Sequence, residues 1–474
     1  MNAVLLWTSR AMAEAMRAAT QGALPDGVTG LSIDSRTIAP GEAYFAIKGD
    51  VHDGHSFVEA ALKAGAGLAV VEAAQRRKFA ADAPLLVVDD VLAALVDLAH
   101  ASRARLGAHI IAVTGSVGKT STKEALRCVL GAQGETHASA ASFNNHWGVP
   151  LSLARCPVHA RFAIFEIGMN HAGEITPLAE MVRPHVAVVT TVEPVHLGFF
   201  PSVEAIAEAK AEIFVGLVPG GTAVLPRDNP HFPLLRERAS AVGAQIVTFG
   251  YHEESDFRAL QVNLGPRGSS VIAGHGSQRF PYRVGAPGEH YVRNSLAVLA
   301  TLGAVGADAM RCLPGLARIA APAGRGARTL LDAPDGQILL IDESYNANPV
   351  SVRAALAAMA VTPRETFGRR VAVLGDMLEL GEESPALHRG LKEAVDAGGV
   401  DLVVACGPMM RLLYDELAPS RQGPWAPSSV ELEPALLGAV QAGDVVMIKG
   451  SLGTRMAPLV AAMLARFGPG RPGG

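Results

Sequence analysis

Residues 110–130, IIAVTGSVGKTSTKEALRCVL, constrain this chain more than any other stretch. Ile110–Val113 read as a short, fully buried strand, and Thr114–Thr120 as a loop holding two glycines. Ser121 onward reads as a helix whose apolar face carries Ala125, Leu126, Val129 and Leu130. A strand that runs through a glycine-containing loop into a helix turns backbone N–H groups and the positive helix end toward an anion. Lys119 adds a point charge, and the Thr120 hydroxyl is an oxygen ligand of the kind magnesium takes. Thr114, Gly115, Ser116, Val117, Gly118, Lys119, Thr120 and Ser121 are therefore expected to cradle nucleotide phosphates. The standard pattern wants a glycine where this chain has Val113, so the loop is a shortened variant. A tight strand–helix turn without a ligand is the plainer alternative. Gly118-Lys119-Thr120 falls where the strand–loop–helix context requires it, which favours the phosphate site.

At about 150 residues per domain, a chain of 474 residues suggests about three domains. Hydrophobic residues make up 49% and charged residues 18%, enough to bury large cores. A net charge of -4 gives no sign of a nucleic-acid or polyanion binder. Cys128, Cys156, Cys312 and Cys406 are scattered and form no C-x-x-C pair, which fits a reducing compartment and argues against a disulfide frame or zinc site. Met1–Gln21 hold a short apolar run, Val4–Trp7, and then an Ala-rich amphipathic helix, which does not read as a signal peptide. No run of about 18 apolar residues is present to span a membrane. A soluble, cytoplasmic protein is expected.

Three α/β domains are expected. Residues 1–107 read as a small mixed domain with strands at Leu31–Ile33, Ala43–Ile47, Leu68–Val71 and Leu85–Val88 and helices near 55–65 and 91–106. Its polar turns, Asp34-Ser35-Arg36, Lys48-Gly49 and Asp53-Gly54-His55, could line a pocket, although taken alone they are better explained by ordinary turn chemistry. Residues 108–322 show βα repeats, a parallel sheet of the phosphate-loop ATPase kind. Ligands sit at the carboxyl ends of such strands. Thr120, Glu166 at the end of Phe162–Ile167, and His196 after Val186–Thr190 all fall on that edge, with the polar loop Phe143–Pro150 between them. Lys210 lies on the apolar stripe Val203, Ile206, Ile213, Phe214 and Leu217; it either snorkels outward or serves the site. Strands at Ala223–Leu225 and Gln245–Phe249 precede a β-rich insert at about 257–285. His290 and Asn294 then open a helix as caps or as part of an adenine site. Ala320–Ala327 reads as a linker, and residues 323–474 as a second doubly wound, Rossmann-like domain with strands at Ile338–Ile341, Val371–Leu374, Leu402–Ala405 and Val445–Ile448. The Gly/Pro tail from about 468 reads as disordered.

The ordered motifs TGSVGKTSTKE (114–124), FNNHWGVP (143–150), EIGMNHAGEI (166–175), AKAEIF (209–214), HYVRNSLA (290–297), DESYNANP (342–349), VLGDMLELG (373–381) and KGSLGTRM (449–456) resemble the Mur ligases of peptidoglycan synthesis across all three domains. The N-terminal SIDSRTIAPGEAYFAIKGDVHDGH (32–55) resembles the uridine-nucleotide domain of some members. The resemblance implies an ATP- and magnesium-dependent amide ligation that joins D-alanyl-D-alanine to a UDP-N-acetylmuramoyl-tripeptide through an acyl phosphate. A monomer without nucleic-acid or membrane partners is expected. Thr120 and Glu166 are implied to bind one magnesium and His196 the second, with Lys210 as a carbamate ligand. Lys119 is implied to neutralise charge, His290 and Asn294 to lie near adenine, Asp342 near ribose and Arg325 near the phosphates. Ser35 and Arg36 are implied to hold the uridine diphosphate, and Asn144 and Asn145 the peptide. Two departures stand out. The PVHLGFF loop lacks an acidic residue after His196-Leu197. The Asp-Asn-Pro-Arg motif of the tripeptide-forming member has only a partial echo, Asp228-Asn229-Pro230-His231, in the wrong domain, which reads as a coincidental turn. The tripeptide-forming ligase and folylpolyglutamate synthase are the related alternatives, and a P-loop kinase or non-catalytic nucleotide-binding regulator the unrelated ones.

Overall fold

The computed structural model describes residues 4–49, 51–140, 142–195 and 197–468. Three large β-sheets follow one another along the chain, in residues 19–88, 109–284 and 327–449. The central sheet has nine strands. Its middle is parallel: Gln245–Gly250, Thr222–Pro226, Val186–Val189, His109–Thr114, Phe162–Glu166 and Thr136–Ala138, in that spatial order. These strands are near-continuous apolar runs because helices cover both faces. One core packs Phe165, Ile175, Ile206 and Phe214 on one face, and another packs Leu126, Val129, Leu296 and Leu299 on the other. The register pairs Glu166 with Val113 and Val189 with Thr114, so three strands end level at the phosphate loop. The insert forms three antiparallel strands, Phe257–Gly265, Gly268–His275 and Gln278–Val284, extending the sheet edge.

The N-terminal sheet is locked to the central unit. Leu151 and Ala154 of the helix Gly148–Ala154 share a core with Trp7, Leu31, Leu95 and Leu98. The Trp7 indole N–H donates to the Ala154 carbonyl at 2.9 Å, and the Arg105 guanidinium lies 3.3 Å over the same ring.

The C-terminal sheet adds two strands that periodicity did not expose. Ala327–Ala333 begins where the linker was expected to end, and pairs antiparallel with Gly336–Glu343. Pro334-Asp335-Gly336 is the turn signal that joins them. Gln422–Ala426 contains Gly423 and Pro424 and is tolerated because it lies at the sheet edge. The helix after the phosphate loop starts at Lys119, two residues earlier than its apolar pattern suggests. The polar first turn carries no periodic signal.

Candidate active site

A cleft of about 780 Å³ opens between the strand ends of the central sheet and those of the C-terminal sheet. The phosphate loop forms its floor. Gly115 has φ +144°, and a Cβ there would lie 1.9 Å from Thr190 Oγ1. Gly118 has φ +87°, and a Cβ would meet Asn294 Oδ1 at 2.7 Å. Both positions therefore need glycine. The loop is braced from the next strand end: Thr190 Oγ1 donates to Val117 O at 2.6 Å, and Ser116 N–H donates to Thr191 O at 2.9 Å. Lys119 Nζ curls back to Gly115 O at 2.7 Å. Burial pulls its ammonium below the usual lysine range against the opposing pull of Glu166, and Arg325 adds to the lowering.

Beside the loop, Thr120 Oγ1 donates to Glu166 Oε2 at 2.9 Å. Asn144 Nδ2 holds the other carboxylate oxygen, Oε1, at 2.8 Å. Glu166 is 1% exposed. Behind it lies Lys123, a fully buried lysine that sequence reasoning missed. Its Nζ donates to Ser139 O at 2.7 Å and stands 3.1 Å from Glu124 Oε1 and 3.9 Å from Glu166 Oε2. The available signal was spacing: Lys123 follows Thr120 by three residues and so shares its helix face. Lys210, near the end of the helix Val203–Ala211, is 2% exposed. Burial, with Lys119 as a second cause, holds its ammonium well below its ordinary value. No hydrogen bond or ion pair reaches it among the described residues. His196 lies outside the described residues. Two positions on, Gly198 N–H donates to Glu379 O of the C-terminal domain at 2.9 Å.

The other half of the cleft is built by the helix Glu289–Ala304 and the turns after Thr222–Pro226 and Gln245–Gly250. Burial keeps His290 below the usual histidine range, so its ring is neutral at pH 7. Asn294 Nδ2 is a buried donor without a partner among the described residues, in contact range of the phosphate loop. The Asp228–His231 turn, read as coincidental, is a wall of this cleft. The Asp228 carboxylate accepts the Tyr251 and His252 backbone N–H groups and pairs with Arg293, while Asn229 Nδ2 donates to Thr191 Oγ1 and Val192 O. Arg325 reaches the phosphate side: its Nη2 donates to Ser142 Oγ at 3.3 Å and its guanidinium stacks 4.1 Å from Tyr345.

Two expectations, for Asp342 and Asn145, meet a different geometry. The Asp342 carboxylate is taken up by Gly324 N–H at 2.8 Å and by the Ser344 N–H and hydroxyl, so it pins the linker; Glu343 is the acid on the cleft wall, 3.3 Å from Lys449. Asn145 Oδ1 accepts the Trp147 and Gly148 N–H groups, capping the helix Gly148–Ala154. Only Asn144 faces the cleft. Ser35 and Arg36 stand apart from this cleft in the N-terminal domain, where Arg36 is exposed and clamps its own Asp34 at 2.9 and 2.7 Å.

No group of three or more His, Cys, Asp or Glu residues placed to hold a metal occurs among the described residues. Magnesium at nucleotide sites needs no such cage; it takes one or two protein oxygens and completes its shell with phosphate and water. The adjacent Thr120 hydroxyl and Glu166 carboxylate offer two oxygens of that kind.

Three family models match in order: "Mur ligase family, catalytic domain" at residues 27–103, "Mur ligase middle domain" at 113–302 and "Mur ligase, glutamate ligase domain" at 329–452. The UDP-N-acetylmuramoyl-tripeptide–D-alanyl-D-alanine ligase of Escherichia coli K12 is 36% identical over 80% of this chain and 81% of its own. That of Bacillus subtilis 168 is 32% identical over 92% of this chain and 93% of its own. A crystal structure of MurF from Acinetobacter baumannii superposes with a TM-score of 0.83 at 29% identity, covering 97% of this chain and 99% of that one. MurF from Thermotoga maritima in complex with ADP gives 0.75 at 25% identity, covering 92% and 97%. With all three models in sequence order and this identity over most of its length, the chain belongs to the Mur ligase family.

Proposed function

We propose that this chain is an ATP-dependent amide ligase that adds D-alanyl-D-alanine to UDP-N-acetylmuramoyl-tripeptide in peptidoglycan precursor synthesis. One observation carries the reading: the Thr120–Glu166 oxygen pair, Lys119 and Lys210 converge at the phosphate loop of a cleft whose opposite wall is a second α/β domain. A ligase needs that arrangement because two substrates must meet at one phosphoryl group. The three-domain neighbours that match at 25–29% identity carry the same ligase name or ADP.

In this reading residues 1–107 hold the uridine end through Ser35 and Arg36, residues 108–322 bind ATP, and residues 323–474 close over it and present the dipeptide. The tripeptide carboxylate attacks the γ-phosphorus, and ADP leaves. The dipeptide amine then attacks the acyl carbon, and inorganic phosphate leaves. Both reactants are anionic where they meet, so the rate depends on positioning and charge neutralisation. Lys119 and Arg325 supply fixed positive charge along the phosphates. Magnesium, when bound, would neutralise phosphate charge; Thr120 and Glu166 would hold one ion and His196 a second. Asn144 keeps Glu166 aimed, and Asn294 donates to an acceptor of the nucleotide.

Lys210 works as its carbamate. Burial, with Lys119 as a second cause, holds its ammonium well below the usual lysine range and so favours the neutral amine that carbamoylation needs. Its nitrogen attacks carbon dioxide, a proton is released, and the product is a singly charged carbamate whose two oxygens suit magnesium.

The test is phosphate release. It should require the UDP-linked tripeptide and D-alanyl-D-alanine together, with diaminopimelate and lysine tripeptides run in parallel. Release that a single amino acid or a folate substrate supports instead would move the chain to another branch of the family.

A further inference from the structure

Glu193 is an acid on the nucleotide side of the cleft to which no role has yet been given. It follows the strand Val186–Val189 and lines the cleft. Its backbone is fixed to the phosphate loop: Glu193 N–H donates to Ser116 Oγ at 2.9 Å, and Ser116 Oγ donates to Glu193 O at 3.1 Å. Its side chain is fixed to the far wall: Thr191 Oγ1 donates to Glu193 Oε1 at 2.9 Å and in turn accepts from Asn229 Nδ2 at 3.2 Å. The second carboxylate oxygen has no hydrogen bond among the described residues, and no cation lies within ion-pair distance. A partly buried carboxylate in that state wants a donor from a ligand.

Sheet order says which part of a ligand. Val186–Val189 lies between the phosphate-loop strand and Thr222–Pro226, whereas Glu166 ends the strand on the other side of the loop. The charges felt by Glu193 are those of Arg293 and His231, both on the half away from Glu166. With phosphates seated in the loop and the terminal phosphate turned to Glu166, a nucleoside would extend toward Glu193, Pro226, Asn229 and Phe249, which line that half of the cleft. Pro226 and Phe249 offer apolar faces to a flat ring, and Glu193 offers an acceptor at its edge. Phosphate is excluded as its partner by like charge. We propose that Glu193 accepts a hydrogen bond from the exocyclic amine of adenine and thereby selects adenine over guanine nucleotides. Guanine places a carbonyl oxygen at that edge, so two acceptors would face each other. The proposal rests on the reading of the cleft as an ATP site.

Calorimetric binding to the full-length protein with magnesium tests it, using ATP, its amine-free purine riboside triphosphate analogue, GTP, and 2′-deoxy- and 3′-deoxy-ATP. The parent protein should bind the amine-free analogue about tenfold and GTP at least about a hundredfold more weakly than ATP. Glu193→Ala should bind ATP and the amine-free analogue equally and lose about tenfold of its discrimination against GTP. Glu193→Gln keeps a carbonyl acceptor and the side-chain shape, so it should fall between the two; it also serves if the alanine variant does not fold. A parental preference for ATP over the amine-free analogue that survives in both variants would overturn the proposal. So would coupling of Glu193 to a ribose hydroxyl instead of the amine. Dipeptide-dependent phosphate release by the parent at saturating ATP is measured separately: its failure, with base selection intact, would count against the ligase reading and leave Glu193 standing.

Discussion

The two walls of the cleft treat their charges differently. On the C-terminal wall, polar groups are satisfied within the protein. Lys449 is buried but donates to Asn346 O at 2.8 Å and stands 3.3 Å from Glu343, and the buried Asp376 carboxylate accepts the Met409 and Met410 N–H groups. Among the described residues of the central wall, Lys210 has no partner, Asn294 Nδ2 is an orphaned donor, and Lys119 donates to its own loop carbonyl, Gly115 O. Burying a polar group without a partner is costly. A site that carries several such groups is shaped for a ligand that completes them. The C-terminal wall is shaped first to hold itself together.

The largest expected effect lies on the unsatisfied wall. Lys119→Ala should lower ligation by at least about 10³-fold, since a preorganised charge at a transferring phosphoryl group is worth that much. Its melting temperature should stay near that of the parent. A rate within tenfold of the parent would remove the phosphate loop from the chemistry.

Lys210→Met should be nearly as damaging to the rate and opposite in stability. The unfolded lysine keeps its proton up to about its ordinary pKa of 10.5, while the folded one gives it up at lower pH. Between those values the unfolded chain binds more protons, so the parent gains stability as pH rises and is penalised below that window. In chelator and carbon-dioxide-free buffer, Lys210→Met should therefore melt above the parent at neutral pH, with the gain shrinking toward pH 10.5. Lys210→Ala should regain part of its activity with an added short carboxylic acid. A variant that melts below the parent at neutral pH would show that the lysine is satisfied after all.

On the satisfied wall the balance should reverse. Lys449→Met leaves Glu343 without its cation and should cost about 1–3 kcal/mol in denaturant unfolding, with a smaller loss of rate. A loss of rate above a hundredfold at unchanged stability would erase the contrast between the walls.

The finest test uses neighbours. Asn145→Ala should cost about 1 kcal/mol, the worth of a helix cap, and leave the magnesium requirement unchanged. Asn144→Ala should free Glu166 Oε1 and raise the magnesium concentration needed for ATP binding severalfold, read by calorimetry. Equal effects of the two would mean that the loop acts as one unit.

Some of this was legible from the amino-acid order and some was not. The phosphate loop was readable because strand, glycine turn and helix are contiguous and each requirement is local. The place of Lys210 on an apolar stripe was readable because a helix carries its periodicity with it, while its burial, rather than a snorkelling ammonium, was decided by the fold. The hairpin Ala327–Ala333/Gly336–Glu343 was marked only by Pro334-Asp335-Gly336, and its first strand was hidden in a stretch that looked like linker. The three-residue strand Thr136–Ala138 is too short to show any period.

What the sequence determined by itself was therefore which residue types stand at which strand ends, since hydrophobic period and turn chemistry act over a few residues. Tertiary structure alone decided which of those residues have partners. Asp342 and Glu343 are adjacent in sequence, yet one pins the linker and the other meets Lys449, 106 residues away. Asn144 and Asn145 divide in the same way between Glu166 and a helix cap. Successive side chains leave the backbone in different directions, and whether each finds a donor, an acceptor or the cleft depends on segments that only the folded chain brings alongside.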